Sequence, residues 1–385
     1  MKTLVFIRRI LVICGLCSED SDNSHYGRLI NWIILGLLTG FLMITFEYIY
    51  THFDERENAL YAIMQFVTFF TVWTCYICFA NQKQLTYEFF ENLQEITDSY
   101  RRRNRRYGIY EEAETKSNGI AKWPALVFFG AFYGVIIISV IDIIVSDLIP
   151  GELNPENWYT FYKMSAPFDR SMVSGFIGYF IIQFLLLHCY YAGLIPCFSF
   201  FVGTCYYLGA CCDDLSEQFD AIDNDVSQND NNIKSRLIAI VIFHVNLIEQ
   251  FKLLTQIFSG VIFYQLACGS AFISTTLFQL DLAWGNFDGN FFVILCVVVL
   301  SIMCILPYCW FATVLSLQLH NISHDAYHSI WYVHPPYLQK YVRWIIIYGQ
   351  IQRNFDGYHI FKCSLEVFMK ITKASGSYYL MLKSF

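Results

Sequence analysis

Seven stretches of this chain are about twenty or more residues long and predominantly apolar: Leu29–Tyr50, Ala59–Ala80, Trp123–Leu148, Ser171–Ala210, Leu254–Leu280, Phe291–Leu319 and Asp356–Phe385. The hydrocarbon core of a bilayer is ~30 Å thick, and a helix rising ~1.5 Å per residue crosses it in ~20 residues. Within lipid the backbone finds no water to bond, so segments of this kind span as helices. The composition agrees, with 56% hydrophobic residues, 18% aromatics and a mean hydropathy of +0.42. The sequence therefore predicts an all-α membrane protein with seven transmembrane helices.

An odd number of spans places the two ends on opposite sides, and the basic residues orient them. Segments 1–28, 81–122, 211–253 and 320–355 hold 18 of the 25 lysines and arginines, whereas the alternate loops 51–58, 149–170 and 281–290 hold 3. Basic loops stay inside, so the N-terminus is expected in the cytosol and the C-terminus outside. The run Arg101, Arg102, Arg103, Arg105, Arg106 dominates that bias and reads as a topology anchor beside anionic lipid. A net charge of -7 argues against a phosphate-tracking surface, hence against nucleic acid as a partner.

Residues 1–28 form a cytosolic segment, in which Ile10–Cys17 follows Arg8 and Arg9. The arginines interrupt the apolar core that a signal peptide needs, so a short membrane-surface helix is expected. Residues 29–210 carry the first four spans, 254–319 the fifth and sixth, and 356–385 the seventh. Between them, 211–253 and 320–355 are expected to build a cytosolic helical anchor domain. Residues 233–280 lack proline, and a continuous helix over that length would far exceed the membrane. Its first half presents Leu237, Ile240, Val241, Leu247, Ile248 and Phe251 on one side, a stripe that needs a packing partner. After Pro335 and Pro336, Tyr337–Gln352 is a helix too short to cross, and a polar connection runs from about Cys212 to Asn232.

The last segment carries Lys362, Glu366, Lys370 or Lys373, Ser377 and Ser384 at steps that align on one helix face. Lipid would not tolerate that stripe, so this helix is expected to border a wet path. Leu380 and Met381 interrupt it.

The fourteen cysteines lie mostly within apolar segments and behave as small hydrophobes. The pairs Cys14/Cys17 and Cys75/Cys78 lack a second pair at zinc-ribbon spacing, so no metal is expected there. His320, His324 and His328 share a helical face beside Asp325, but a solvated helix end accounts for them. A zinc hydrolase of the membrane needs ligands converging from several helices, and only His188 and Asp142 lie at suitable depth. With no hydrolase, zincin or P-loop motif, catalysis and cofactors are not expected.

Aromatics crowd the outer halves of four spans: Phe66, Phe69 and Phe70; Tyr133, with Gly134 and Ile137; Phe176, Tyr179 and Phe180; and Phe291. Two readings stand side by side, ordinary bundle packing or a closed pocket for a small lipophilic ligand.

The C-terminal part, AYHSIWY from Ala326, the proline break, and FKCSLEVFMKITKASGSYYLMLKSF, resembles insect odorant receptors. Its ending has the spacing of the T-Y-(five apolar)-Q-F signature of the related gustatory receptors. Tyr378 and Phe385 match it, while Ser377 stands for the threonine and Ser384 for the glutamine, which favours the odorant branch. The resemblance implies a ligand-gated, non-selective cation channel in the plasma membrane of olfactory neurons, a heterotetramer with a coreceptor. It implies a pore lined by the last helix, with Glu366 and Ser377 along it and Met381, Ser384 and Phe385 at the gate. Odorant would bind among the second, third, fourth and sixth spans. The short connection after the fourth span points to an odorant-specific tuning subunit. The alternatives are a gustatory-type homotetrameric channel and a non-conducting seven-helix receptor or membrane enzyme.

Overall fold

The longest rod in the molecule, α7 (Asp230–Leu282), runs unbroken for 53 residues. At ~1.5 Å per residue it is about 80 Å long, more than twice a hydrocarbon core. The absence of proline predicts this continuity, and every other layer of the fold packs on it or its neighbours. The computed structural model describes residues 4–17, 24–54, 56–104, 107–144, 164–165, 172–223, 230–284 and 289–384. Arg105, Arg106, Ser171 and Phe385 lie outside them.

The described helices, in order, are α1 (Val5–Ile13), α2 (Ser24–Thr51), α3 (Arg56–Ala80), α4 (Lys83–Asn104), α5 (Tyr107–Ile143), α6 (Val173–Asp223), α7, α8 (Gly289–His328), α9 (Pro336–Gly349) and α10 (Leu365–Ser384). Six contain stretches long and apolar enough to cross a membrane: Gly27–Thr51, Asn58–Ala80, Tyr110–Ile138, Val173–Phe219, Ile233–Leu282 and Phe291–His328. The protein is thus almost wholly helical and multi-pass. Pro124, Pro196 and Pro307 sit inside α5, α6 and α8 without ending them, as packed membrane helices allow. α10 is long enough at 20 residues, but Glu366, Lys370, Lys373 and Lys383 keep its hydropathy below that of the six.

The solid part of the core lies where α3, α4, α6, α7 and α8 meet. Phe79, Phe200 and Phe258 pack with ring centroids 5.4–5.7 Å apart. Phe201 adds edge contact to Phe258 at 4.9 Å, and Tyr308 of α8 lies 4.9 Å from Phe201. Each such pair contributes ~0.5–1.5 kcal/mol beyond the area it buries.

Three local expectations are corrected. The last helix begins at Leu365 and not at Asp356, because a two-stranded antiparallel hairpin intervenes, pairing Asp356 with Lys362 and Gly357 with Phe361. Tyr358 and His359 turn it with φ of 49° and 59°, values that exclude a continuing right-handed helix. Lys362 therefore sits on a strand, apart from the helical stripe. Gly357 is required here, since a Cβ would stand 2.7 Å from the backbone of Phe263.

Second, α1 is inserted into the bundle instead of lying on a membrane surface: Leu4, Ile7, Leu11 and Leu16 are fully buried. Gly203 of α6 makes room, because a Cβ there would collide with Ile7 and approach Ala121 to 3.1 Å. Arg8 is tolerated inside by its 3.4 Å contact with Glu91. Third, α6 runs on to Asp223 through the stretch expected as a polar connection. Its buried Asp214 accepts a 2.9 Å hydrogen bond from Tyr110 and a weaker one from Gln218, which satisfies a carboxylate inside a helix bundle.

Candidate ligand cavity and the C-terminal helix

Five helices each turn one face toward a common space. From α3 come Tyr61, Met64, Gln65, Thr68 and Phe69, at the steps of three and four that define a single helical face. α5 contributes Phe128, Ala131 and Val135; α6 contributes Leu187, Tyr190 and Tyr191; α8 contributes Val293, Val297, Leu300 and Cys304; and α7 adds Phe272. The cavity measures about 120 Å³, close to the ~150 Å³ of an apolar cavity known to hold a single aromatic ring. Phe69 is fixed in its wall by Phe41 at 4.0 Å and Tyr190 at 5.0 Å, and Tyr190 and Tyr191 meet edge to face. Thr68 donates its hydroxyl hydrogen to the Met64 carbonyl at 2.7 Å, so its oxygen is presented as an acceptor. The wall is apolar and aromatic with a few polar atoms, the composition of a small-molecule site.

Of the ten aromatic-region residues singled out in the sequence, Phe69 lines this cavity. Phe66 and Phe70 sit on the neighbouring face of α3 and pack toward α2, Phe66 meeting Phe46 at 6.3 Å, while Trp73 donates a 2.9 Å hydrogen bond to Thr39. Tyr133 and Ile137 are 52% and 58% exposed, and no side chain crowds Gly134. Phe176, Tyr179 and Phe180 lie farther toward the start of α6; Tyr179 is buried and donates to the Met164 carbonyl at 3.4 Å. Phe291 packs against Trp284 and Phe292. A signal for the cavity-lining face was present: Gln65 and Thr68 are polar residues in an apolar segment, which turn inward in a membrane bundle and set the phase of α3.

α10 packs one side on α7 and α8. Ser375 is fully buried and donates to the Ser270 carbonyl of α7 at 3.2 Å, while the Leu365 amide donates to Thr313 of α8 at 3.0 Å. Phe368 and Ile371 complete the packed face. Glu366, Lys370, Lys373, Ser377, Met381 and Ser384 all lie on the exposed side, Glu366 paired with Lys370 at 2.6 Å. At the far end Lys383 reaches Asp281 of α7 at 3.0 Å. His188 donates its Nδ1–H within its own helix to the Phe184 carbonyl, 2.8 Å away, and among the described residues no group of three histidines, cysteines or acids converges.

Six membrane-length helices, five of them around an aromatic cavity, with a half-polar helix fastened alongside, have the build of a multi-pass receptor for a small molecule. The family model described as 7tm Odorant receptor matches residues 56–376. The chain belongs to this family. The insect olfactory receptor OR5 from Machilis hrabei, solved in complex with eugenol, has the same fold, with a TM-score of 0.79 at 14% identity over 99% of this chain and 98% of that one. A second structure of the same receptor gives a TM-score of 0.77 at 14% identity, covering 98% of this chain and 97% of that one. No curated protein sequence matches.

Proposed function

We propose that this chain is the tuning subunit of an odorant-gated, non-selective cation channel, acting in a heterotetramer with a coreceptor in the plasma membrane of olfactory sensory neurons. In this reading α10 is the seventh span, the N-terminus is cytosolic and the C-terminus extracellular. The helical stretches within 211–253 and 320–355 then form the cytosolic anchor. A small lipophilic volatile of about one ring occupies the cavity around Phe69, Phe128, Tyr190 and Tyr191. Glu366 and Ser377 border the ion path, and Met381, Ser384 and Phe385 form its outer constriction.

One observation carries the reading: the cavity and α10 share their supports. Phe272 of α7 and Cys304 of α8 line the cavity, and the same two helices hold α10 through Ser270 and Thr313. A ligand that fits the cavity better when α7 and α8 are slightly displaced shifts the population toward a moved α10. The bare polar side of α10 is the face that four copies around an axis would turn inward.

The test is current against an odorant panel, recorded with the chain co-expressed with the coreceptor and with the chain alone. Odorant-evoked current is expected only in the first case. Silence in both would reject the channel reading, whereas current from the chain alone would move it to a homotetrameric channel. An epitope placed after Phe385 is expected to stain on unpermeabilised cells; staining only after permeabilisation reverses the topology.

A further inference from the structure

The last turns of α8 carry a pair of imidazoles that odorant binding and gating leave unused. His324 and His328 stand one helical turn apart, both exposed, with their Nε2 atoms 3.1 Å apart and their ring centroids 4.2 Å apart. At that distance the Nε2–H of one ring is donated to the bare Nε2 of the other. Two imidazole nitrogens that share one proton offer the same lone pairs to a metal ion in its place. With metal–nitrogen bonds of ~2.0–2.1 Å, two ligating nitrogens are about 2.9 Å apart at a right angle and about 3.3 Å apart at the tetrahedral angle. The observed spacing falls between these values.

The surrounding field favours a cation. Asp325 places a carboxylate oxygen 3.9 Å from Nδ1 of His324. Asp213 of α6, bound through both oxygens by the amide of Gln318 at 3.1 Å, feels the charges of Glu217 and Asp325. Imidazole donors select borderline transition metals, and calcium and magnesium prefer sets of oxygen ligands.

We propose that His324 and His328 form a two-nitrogen chelate for a borderline divalent transition-metal ion, Zn²⁺ foremost, with water in the remaining positions. Because no third His, Cys, Asp or Glu converges among the described residues, the site is a binding point for free ion and not a closed structural centre. It bridges one turn of α8 just before the 3₁₀ turn Trp331–Val333 that leads to α9.

The experiment is calorimetric titration of the purified full chain, without an affinity tag, with Zn²⁺ and separately with Ni²⁺ at about pH 7.5. One equivalent of moderate affinity is expected. His324→Asn and His328→Asn each weaken it by roughly tenfold or more, since each removes half of the protein's donors. The double variant loses the same equivalent and no other, His320→Asn keeps it, and excess Ca²⁺ does not compete. All variants should melt at the native temperature without metal, because the changed side chains are exposed. Absence of binding in the native chain leaves a hydrogen-bonded pair only and overturns the proposal. So does binding that survives in the double variant, or an equal loss in His320→Asn.

Discussion

The aromatic junction and the cavity are built from the same residue types and end in opposite states. At the junction Phe79, Phe200, Phe201, Phe258 and Tyr308 are buried ring against ring; at the cavity Phe69, Phe128, Tyr190 and Tyr191 stand around a void. The difference lies in what is interleaved with the rings. The junction sets ring against ring from four helices, whereas the cavity sets rings against Ala131, Thr68, Val297 and Cys304, which are too short to reach across. Aromatic content therefore gives no sign of a pocket; short residues on the faces opposite the rings do. A filled junction resists deformation, and a void can be closed or filled at small cost.

The contrast is broken most directly by deleting a ring from the junction. Phe258→Ala is expected to cost about 3–5 kcal/mol, read as a fall in thermal unfolding temperature in detergent and in surface expression. A loss smaller than that of Ala131→Leu would mean that the junction is not the stabilising centre. Next comes added bulk at the two kinds of site. Gly203→Ala crowds Ile7 and Ala121 and should cost about 1–3 kcal/mol by the same unfolding assay. Ala131→Leu extends into empty space and should change stability by less than about 1 kcal/mol. Its effect is on function: the larger side chain occupies the ligand's volume, so odorant-evoked current should fall by roughly tenfold or more at fixed ligand concentration. Unchanged current would remove the cavity from the binding reading. The smallest expected effect is that of Thr68→Val, which keeps the shape and removes one acceptor. It should raise the half-maximal concentration of a hydrogen-bond-donating odorant by about tenfold at most and leave that of a hydrocarbon unchanged.

The same contrast explains what could be read from the residues alone. Helix number, length and the α7 rod follow from hydropathy and from the absence of proline, which are one-dimensional properties. Helix phase is not. Phe66, Phe69 and Phe70 look equivalent in the sequence, yet the rotation of ~100° per residue brings Phe69 into the cavity wall and leaves its neighbours on the adjoining face of α3. The start of α10 was hidden for another reason. Phe355, Ile360 and Phe361 continue the apolar pattern around the turn signal Asp356-Gly357, and the two positive-φ positions themselves are Tyr358 and His359, not Gly, Asn or Asp. The burial of α1 depended on Gly203, some two hundred residues away in the chain.

α7 touches the core, the hairpin, α10 and the cavity alike, through Phe251 and Phe258, Phe263, Ser270 and Phe272 in turn. It has no break at which an error in spacing could be absorbed. One residue inserted between Phe258 and Phe272 would turn the far end by ~100° and carry it ~1.5 Å along the axis. Phe272 would then leave the cavity while Phe258 stayed in place. The rod is in this sense a ruler with fixed graduations, along which side chains can be exchanged but none added or removed, so chain-length variation belongs at the turns between helices.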